Sequence, residues 1–339
     1  DYINYCLTGV FATDYSDASG TLLLDVKNKR WSEEMLRICG ITKKQLPEIF
    51  ESYEPIGTLK PEIAQTLGLK PQVKVAAGAA DNAAAAVGTG TVGAGKCNIS
   101  LGTSGTLFVP CSHYEAEWGG ALHAFVHADG NYHLLGCILS AASCNKWFME
   151  QILQDSDFKT IQDHIPEERL GKNNVFFLPY LMGERSPVND TNARGTFLGM
   201  SMDSTREDLL QAVLEGVGFA LRDCLEIARK QGIRVKGSTI CGGGAKSRLW
   251  LKIIANILNM ELTLVKTEEG PGYGGAMLAA AACGEYGSVA ECAANVIETV
   301  GTVRPDASIA AGYEKQYQKF RKLYPALKNV FRELYAEQS

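Results

Sequence analysis

Long apolar runs are missing from this 339-residue sequence. No stretch approaches the roughly 18–20 apolar residues that a membrane-spanning helix needs. Dense lysine and arginine blocks are missing too, and a net charge of −5 argues against a general nucleic-acid binder. Ten cysteines are present, but none forms a Cys-x-x-Cys pair, and several lie in apolar segments where a thiol acts as a small hydrophobe. A chain of this size has no need of a disulfide framework, so a reducing, cytoplasmic setting is expected. The start shows no basic–apolar–small leader pattern, and no internal repeat is visible. With 46% hydrophobic and 21% charged residues, the composition is that of a globular protein, long enough for two domains with their own cores. The segment Asp1–Gly9 reads as a helix already under way, so something is expected to precede it.

Residues 1–75 read as mostly helical with loops. Ser32 is placed to cap a helix that Gly40 ends, and Lys60-Pro61 introduces another that stops near Gly68. Residues 73–77 form a short apolar run, expected to be a buried strand leading to Gly78. Residues 106–110 carry strand character, and residues 121–127 and 132–138 flank an Asp129-Gly130 turn, the pattern of a β-hairpin. A helix is expected over 139–153, a strand over 175–178, and a loop over 179–187. Ser204-Thr205-Arg206-Glu207 is nearly a capping box for a long helix over 207–231. Then follow a strand over 235–241, a helix over 247–259, a strand over 261–265 and an alanine helix over 276–283. From Ser308 the pattern is amphipathic helix, with Tyr313, Tyr317 and Phe320 at helical spacing and a kink expected at Pro325. The order indicates α/β architecture.

Three glycine patterns suggest phosphate loops and mostly fail. Gly90 to Lys96-Cys97 almost fits G-x-x-x-x-G-K-[ST], but Cys97 replaces the metal-binding hydroxyl. The order is also wrong, since a helix precedes and a strand follows. Gly88-x-Gly90-x-x-Gly93 shares that order. Gly270-x-Gly272-x-x-Gly275 does lie between strand and helix, but residues 266–269 separate it from the strand end where a dinucleotide loop would turn. A helix packed closely through small residues is the favoured reading there.

Three other signals survive. Asp81 opens an alanine-rich helical segment, where an acid serves as an N-cap or as a general base. Ser100-Leu101-Gly102-Thr103-Ser104-Gly105 can be a plain hairpin turn or an anion-binding concavity of N–H groups and hydroxyls. Gly242-Gly243-Gly244-Ala245 can be a tight strand–helix connection or the close approach of backbone to a ligand at a helix N-terminus. One acid and two glycine loops at strand ends of one α/β unit together suggest phosphoryl transfer.

At this point the sequence resembles the FGGY carbohydrate kinases over essentially its whole length. Gly195-Thr-Phe197-Leu-Gly199-Met200, seven residues, then Asp208-Leu209 through Ala212-Val213-Leu214-Glu215 meet a family signature position by position. Gly78-Ala-Ala-Asp81-Asn82-Ala83-Ala84 resembles the catalytic segment in the form carried by members acting on xylulose. Ser100–Gly105, Leu139–Cys144, Pro179–Arg185 and Gly242–Ala245 match in order.

The resemblance implies an actin/hexokinase/Hsp70-like (ribonuclease H-like) α/β fold, with a mixed sheet flanked by helices. It implies an ATP-dependent kinase whose substrate is a ketopentose, D-xylulose first, with ATP and Mg²⁺ as cofactors. By it, Asp81 is the base and Asn82 lies against the sugar. Thr103 meets the nucleotide phosphates in a loop shaped by Gly102 and Ser104. Gly243 and Gly244 line the adenosine site, with Arg248 flanking it. Ala142 and Lys146 fall at nucleotide-contact positions, with residue types that differ from relatives. No nucleic-acid or membrane partner is implied, and a homodimer is one assembly open to it. The family's Asp-x-Gly-Thr phosphate loop is absent from this sequence. The expected division is therefore a remnant of the N-terminal sugar-binding domain over 1–77, the nucleotide-binding domain over 78–285 and a helical region over 286–339, with little or no turnover by the chain alone.

Other features read as structural. His123 and His127 are hairpin residues rather than metal ligands. Trp147 is a packing residue. Glu184-Arg185 is either a surface pair or part of substrate closure. The rival readings are another FGGY kinase (ribulose, gluconate, glycerol) or a non-catalytic actin-like nucleotide-binding module.

Overall fold

The computed structural model describes residues 1–115, 120–267 and 270–335. Seven strands make its main sheet: β1 (Asn98–Leu101), β2 (Gly105–Cys111), β3 (His123–Val126), β4 (Tyr132–Ile138), β5 (Gly237–Cys241), β6 (Glu261–Val265) and β7 (Thr299–Val303). Their order is β7-β6-β5-β1-β2-β4-β3. β5 pairs in parallel with β1 and β6, and the remaining neighbours are antiparallel. The central strands β1 and β2 are buried along most of their length, and in β2 the apolar run from Leu107 to Cys111 reflects burial on both faces. β3 and β4 form the expected hairpin, with Gly130 at φ 87° in its turn. β7 leaves no strand pattern in the sequence, because its residues are largely exposed at the sheet edge.

The principal helices are α1 (Asp81–Gly88), α2 (Ala142–Trp147), α3 (Arg206–Lys230), α4 (Arg248–Leu258), α5 (Gly270–Cys283) and α6 (Ala307–Phe320). α3 runs through the core, buried along most of its length. Its capping box sits one residue later than expected: Thr205 and Asp208 satisfy each other's backbone, while the Ser204 hydroxyl accepts from Ser201 N–H instead. Gly216 lets the strand Phe176–Leu178 lie against the helix, since a Cβ there would collide with the Phe177 carbonyl. The aromatic ridge of α6 packs as its spacing predicts, with Tyr313, Tyr317 and Phe320 around Phe219 at ring-centroid distances of 6.1, 6.2 and 5.0 Å. The chain then breaks at Arg321-Lys322 before a separate helix, Leu323–Tyr335. Pro325 lies in the first turn of that helix, where its missing N–H costs nothing, so it does not kink a continuous one. The last four residues of the expected C-terminal helical region lie outside the described residues.

α2 starts three residues later than the helix expected from Leu139 and continues as a wider helical turn over Phe148–Leu153. α5 starts six residues earlier than Ala276, because Gly270, Gly272 and Gly275 are helical rather than looped. Glu268 and Glu269, part of the expected spacer, lie outside the described residues. α5 packs on α1 with almost no side-chain space: a Cβ on Gly274 would collide with the Ala84 carbonyl, and one on Gly88 with the Gly270 carbonyl. The small-residue reading of that glycine pattern is the one the structure bears out.

The first 77 residues are less helical than expected. Three two-stranded pairings interrupt them: Ala12–Asp14 with Glu48–Phe50, Leu24–Asp25 with Arg30–Trp31, and Pro55–Thr58 with Lys74–Ala76. Strands of two to four residues leave little periodicity to read. The last pairing corrects the expected buried strand, since Val73 is exposed and Lys74–Ala76 is an outer ribbon. The Ser32 cap and the left-handed stops at Gly40 and Gly68 are as expected.

Inside the core, Glu215 of α3 accepts hydrogen bonds from Tyr313 Oη at 2.8 Å and Gln211 Nε2 at 2.7 Å. Burial pushes its carboxyl up to about 7, against the pull of those donors. The unfolded chain therefore releases this proton first as pH rises, and stability present below about pH 4.5 is lost on the way to about pH 7. Glu215→Gln is expected to gain on the native protein by up to about 3 kcal/mol between pH 5 and pH 8, measured as the change in the urea-unfolding difference at the two pH values. An equal difference at both would contradict the buried-acid assignment.

Candidate functional site

β1 and β5 run parallel, with Asn98, Ile99 and Ser100 opposite Thr239, Ile240 and Cys241, so both strands deliver their following loops to one end of the sheet. The first is the Gly102–Ser104 turn, closed by the Leu101–Gly105 pair. Its carbonyls are held from behind: Gly102 O accepts from Ala142 N–H at 2.9 Å, and Thr103 O from Ala141 N–H at 2.9 Å and Ser143 Oγ at 2.7 Å. The turn's hydroxyls and N–H groups are what it offers to an anion. Gly105 is required by space, because a Cβ would stand 2.8 Å from Ile138 Cγ1.

The second loop is Gly242–Gly244. Gly242 adopts φ 90°, and its Cβ would stand 2.7 Å from Leu101 O. A Cβ on Gly244 would stand 2.8 Å from both Leu101 Cβ and Trp250 Cζ3. Both glycines therefore serve the tight connection, whereas Gly243 has no neighbour within 4 Å of an added Cβ. Ser247 then caps α4 through Trp250 N–H and donates to Gln162 Oε1 at 2.5 Å, so Arg248 opens the helix at the loop's edge.

Between these loops and α2 lies a cavity of about 770 Å³, whose walls include Thr103, Ala142, Lys146, Gly243, Gly244 and Arg248. Six of the residues singled out from the sequence thus share one space. Gly102 and Ser104 stand beside it in the same turn. The volume suits a nucleotide-sized ligand. Lys146 reaches solvent and lies 3.9 Å from Glu150. Asn145, Phe158 and Gln162 also line the cavity and were not singled out. Asn145 adjoins Lys146 on α2, but the short helix Phe158–Asp163 has no counterpart in the sequence reading.

Asp81 and Asn82 are not in that wall. They stand exposed at the start of α1, and the structure corrects the expected N-cap: Ala80 holds that position and Asp81 is the first helical residue. The Asp81 carboxylate accepts from Asn82 N–H at 2.6 Å and Asn82 Nδ2 at 3.0 Å. The approach to Asp81 is anchored on buried Asp14. Ser16 and Ser52 donate their hydroxyls to Asp14 Oδ2 at 2.5 and 2.7 Å, Ala80 N–H donates to Ser16 Oγ at 3.0 Å, and Gly78 N–H to Ser52 O at 3.1 Å. Burial raises the Asp14 carboxyl above its ordinary range while these donors pull it down.

The other features fall outside the cavity. The near-P-loop connects α1 to β1 and lines a separate cavity of about 500 Å³ with Lys236, Ser238 and Thr239. His127 is buried, its Nε2 paired with Thr91 O at 3.1 Å, and His133 stacks on Phe108 at 4.0 Å. Burial lowers the affinity of both rings for protons. Among the described residues, no three His, Cys, Asp or Glu side chains converge to hold a metal. Trp147 stacks on Phe177 at 6.2 Å. Glu184 is buried beside exposed Arg185, so the two are not a surface pair, and burial pushes its carboxyl up to about 7. All ten cysteines are free thiols, and among the described residues no helix is long and apolar enough to cross a membrane.

A mixed sheet with glycine loops at the ends of its parallel strands is the nucleotide-binding architecture of the actin/hexokinase class of sugar kinases. Residues 1–88 match the family model for the FGGY carbohydrate kinase N-terminal domain and residues 97–283 that for the C-terminal domain. The chain belongs to the FGGY family of carbohydrate kinases. It is 35% identical over 332 residues to xylulose kinase of Bacillus subtilis, covering 98% of this chain and 65% of that protein. It is 37% identical over 329 residues to xylulose kinase of Escherichia coli, covering 96% and 67%. A crystal structure of a "xyloylose kinase" from Brucella ovis superposes with a TM-score of 0.92 at 39% identity, over 97% of this chain and 68% of that one. The chain thus spans about two thirds of the length of its relatives.

The different roles of adjacent glycines are testable. Gly244→Ala is expected to lower stability by about 1–3 kcal/mol through overpacking, while Gly243→Ala stays near the parent in chemical denaturation. Equal losses would contradict the assignment of Gly243 to the open side.

Proposed function

We propose that the cavity between the two glycine loops is an ATP site and that the protein serves phosphorylation of a ketopentose, D-xylulose to D-xylulose 5-phosphate. The observation carrying this reading is the gathering of Thr103, Ala142, Lys146, Gly243, Gly244 and Arg248 around one nucleotide-sized cavity at the strand ends. The choice of sugar rests on the xylulose kinase relatives and on Asp81-Asn82, which an actin-like module without catalysis would not need. Another FGGY substrate such as ribulose, gluconate or glycerol is the alternative within the family.

In this reading adenosine lies along Gly243, Gly244 and Arg248, and the phosphates reach the Thr103 turn, with Gly102 and Ser104 shaping it. Asp81 takes the proton of the sugar's terminal hydroxyl, and that oxygen attacks the γ-phosphorus in line. The bond to the β–γ bridging oxygen breaks, and ADP leaves. Asn82 lies against the sugar, its amide already oriented by Asp81. Mg²⁺ bound to the nucleotide would neutralise phosphate charge.

Calorimetry of the chain with ADP and Mg²⁺ tests the nucleotide site, and absence of binding by folded protein overturns it. Turnover over a panel of ketopentoses and polyols, by the chain as it stands and by a version extended to its relatives' length, tests the substrate. Wherever turnover is seen, Asp81→Asn is expected to lower kcat by about 10²–10⁴-fold. Near-normal kcat would leave Asp81 with a structural role only.

A further inference from the structure

The loop Pro179–Arg185 stands outside the cavity, yet one of its side chains reaches the machinery from behind. Glu184 is 2% exposed. Its Oε1 accepts two backbone hydrogen bonds at 2.8 Å, from Leu139 N–H and from Arg185 N–H, while Oε2 is buried with no partner among the described residues. Burying a carboxylate is costly and is tolerated where its oxygens hold something in place. Leu139 directly follows β4 and opens the bend into α2. Three successive N–H groups of that bend, from Ala141, Ala142 and Ser143, donate to the carbonyls of the Thr103 turn at 2.9, 2.9 and 3.3 Å, and Ser143 Oγ adds a fourth bond. The loop is pinned to the end of β4 once more, by Ser186 N–H donating to Cys137 O at 3.0 Å, and it closes on itself where Glu184 and Asp190 exchange backbone hydrogen bonds at 2.8 and 2.9 Å.

The geometry points to Glu184 as a positioning residue for nucleotide phosphates: it fixes the Leu139–Ser143 bend, and the bend orients the Thr103 turn. This inference rests on the nucleotide reading above and adds a residue that touches no ligand. Its effect is selective. The bend orients the phosphate side of the cavity, whereas the Gly243–Arg248 side is carried by β5 and α4 and does not depend on it. Loss of the Oε1 anchor lets the turn's N–H groups and hydroxyls drift, so affinity for the phosphates falls while affinity for the nucleoside does not.

The test compares Kd for ADP with Kd for adenosine, by calorimetry in the presence of Mg²⁺. In Glu184→Leu the ADP affinity is expected to fall at least about tenfold, with adenosine affinity within about twofold of the parent. Glu184→Gln, whose amide oxygen can still accept from Leu139 and Arg185, is expected to restore both. Should the leucine variant not fold, Glu184→Asp withdraws the oxygen by one methylene and is expected to show the same selective loss. Equal weakening of both ligands, or no change in either, overturns the positioning role while leaving the nucleotide site standing. Failure of the parent chain to bind either ligand overturns the site itself and this inference with it.

Discussion

The parallel contact between β1 and β5, finished by a glycine, is the constraint on which the site depends. The two strands bring their loops out at the same edge, and the loops can lie side by side only because Gly242 has no Cβ to meet Leu101 O at 2.7 Å. Gly244 repeats the requirement against Leu101 and Trp250. A side chain at either position would push the second loop off the first and open the cavity between Thr103 and Gly243. Ligands of open α/β sheets collect outside the carboxyl ends of parallel strands, and here sterics at the backbone decide where that crevice lies.

The other half of the proposed chemistry is held by separate means. Asp81 owes its place to the close packing of α1 on α5 through Gly88, Gly270 and Gly274 and to the hydrogen bonds that run from buried Asp14 through Ser16 to Ala80 N–H. One anchor is steric and the other polar. Both are interior, so the exposed carboxylate is delivered at a helix start without being buried itself. Asp81 and the Thr103 turn thus sit on independently supported elements.

Much of this was legible in the sequence, for identifiable reasons. The caps and stops at Ser32, Gly40 and Gly68 announce themselves because a side-chain acceptor or a left-handed residue is a local requirement. The glycine loops were legible as loops, but the split between Gly242 and Gly244 as spacers and Gly243 as open wall depends on Leu101 and Trp250, which are remote in sequence. At Gly270–Gly275 the close packing through small residues was legible but the start of α5 was not, because glycines that signal a loop by propensity are here recruited into the helix by packing on α1. The short pairings in residues 1–77 and edge strand β7 carry too few buried residues to leave an alternating pattern. Glu184 could be noticed as part of a motif, but its burial and its grip on Leu139 belong to the tertiary structure alone.

One cavity, at one end of the sheet, is proposed to take the nucleotide. Backbone hydrogen exchange of the chain with and without ADP–Mg²⁺ tests it most directly, because it reports where the ligand sits without needing turnover. Slower exchange is expected over residues 102–105, 139–146 and 242–248. Protection centred instead on the cavity lined by Lys96, Lys236 and Thr239, with those three segments unchanged, would contradict it.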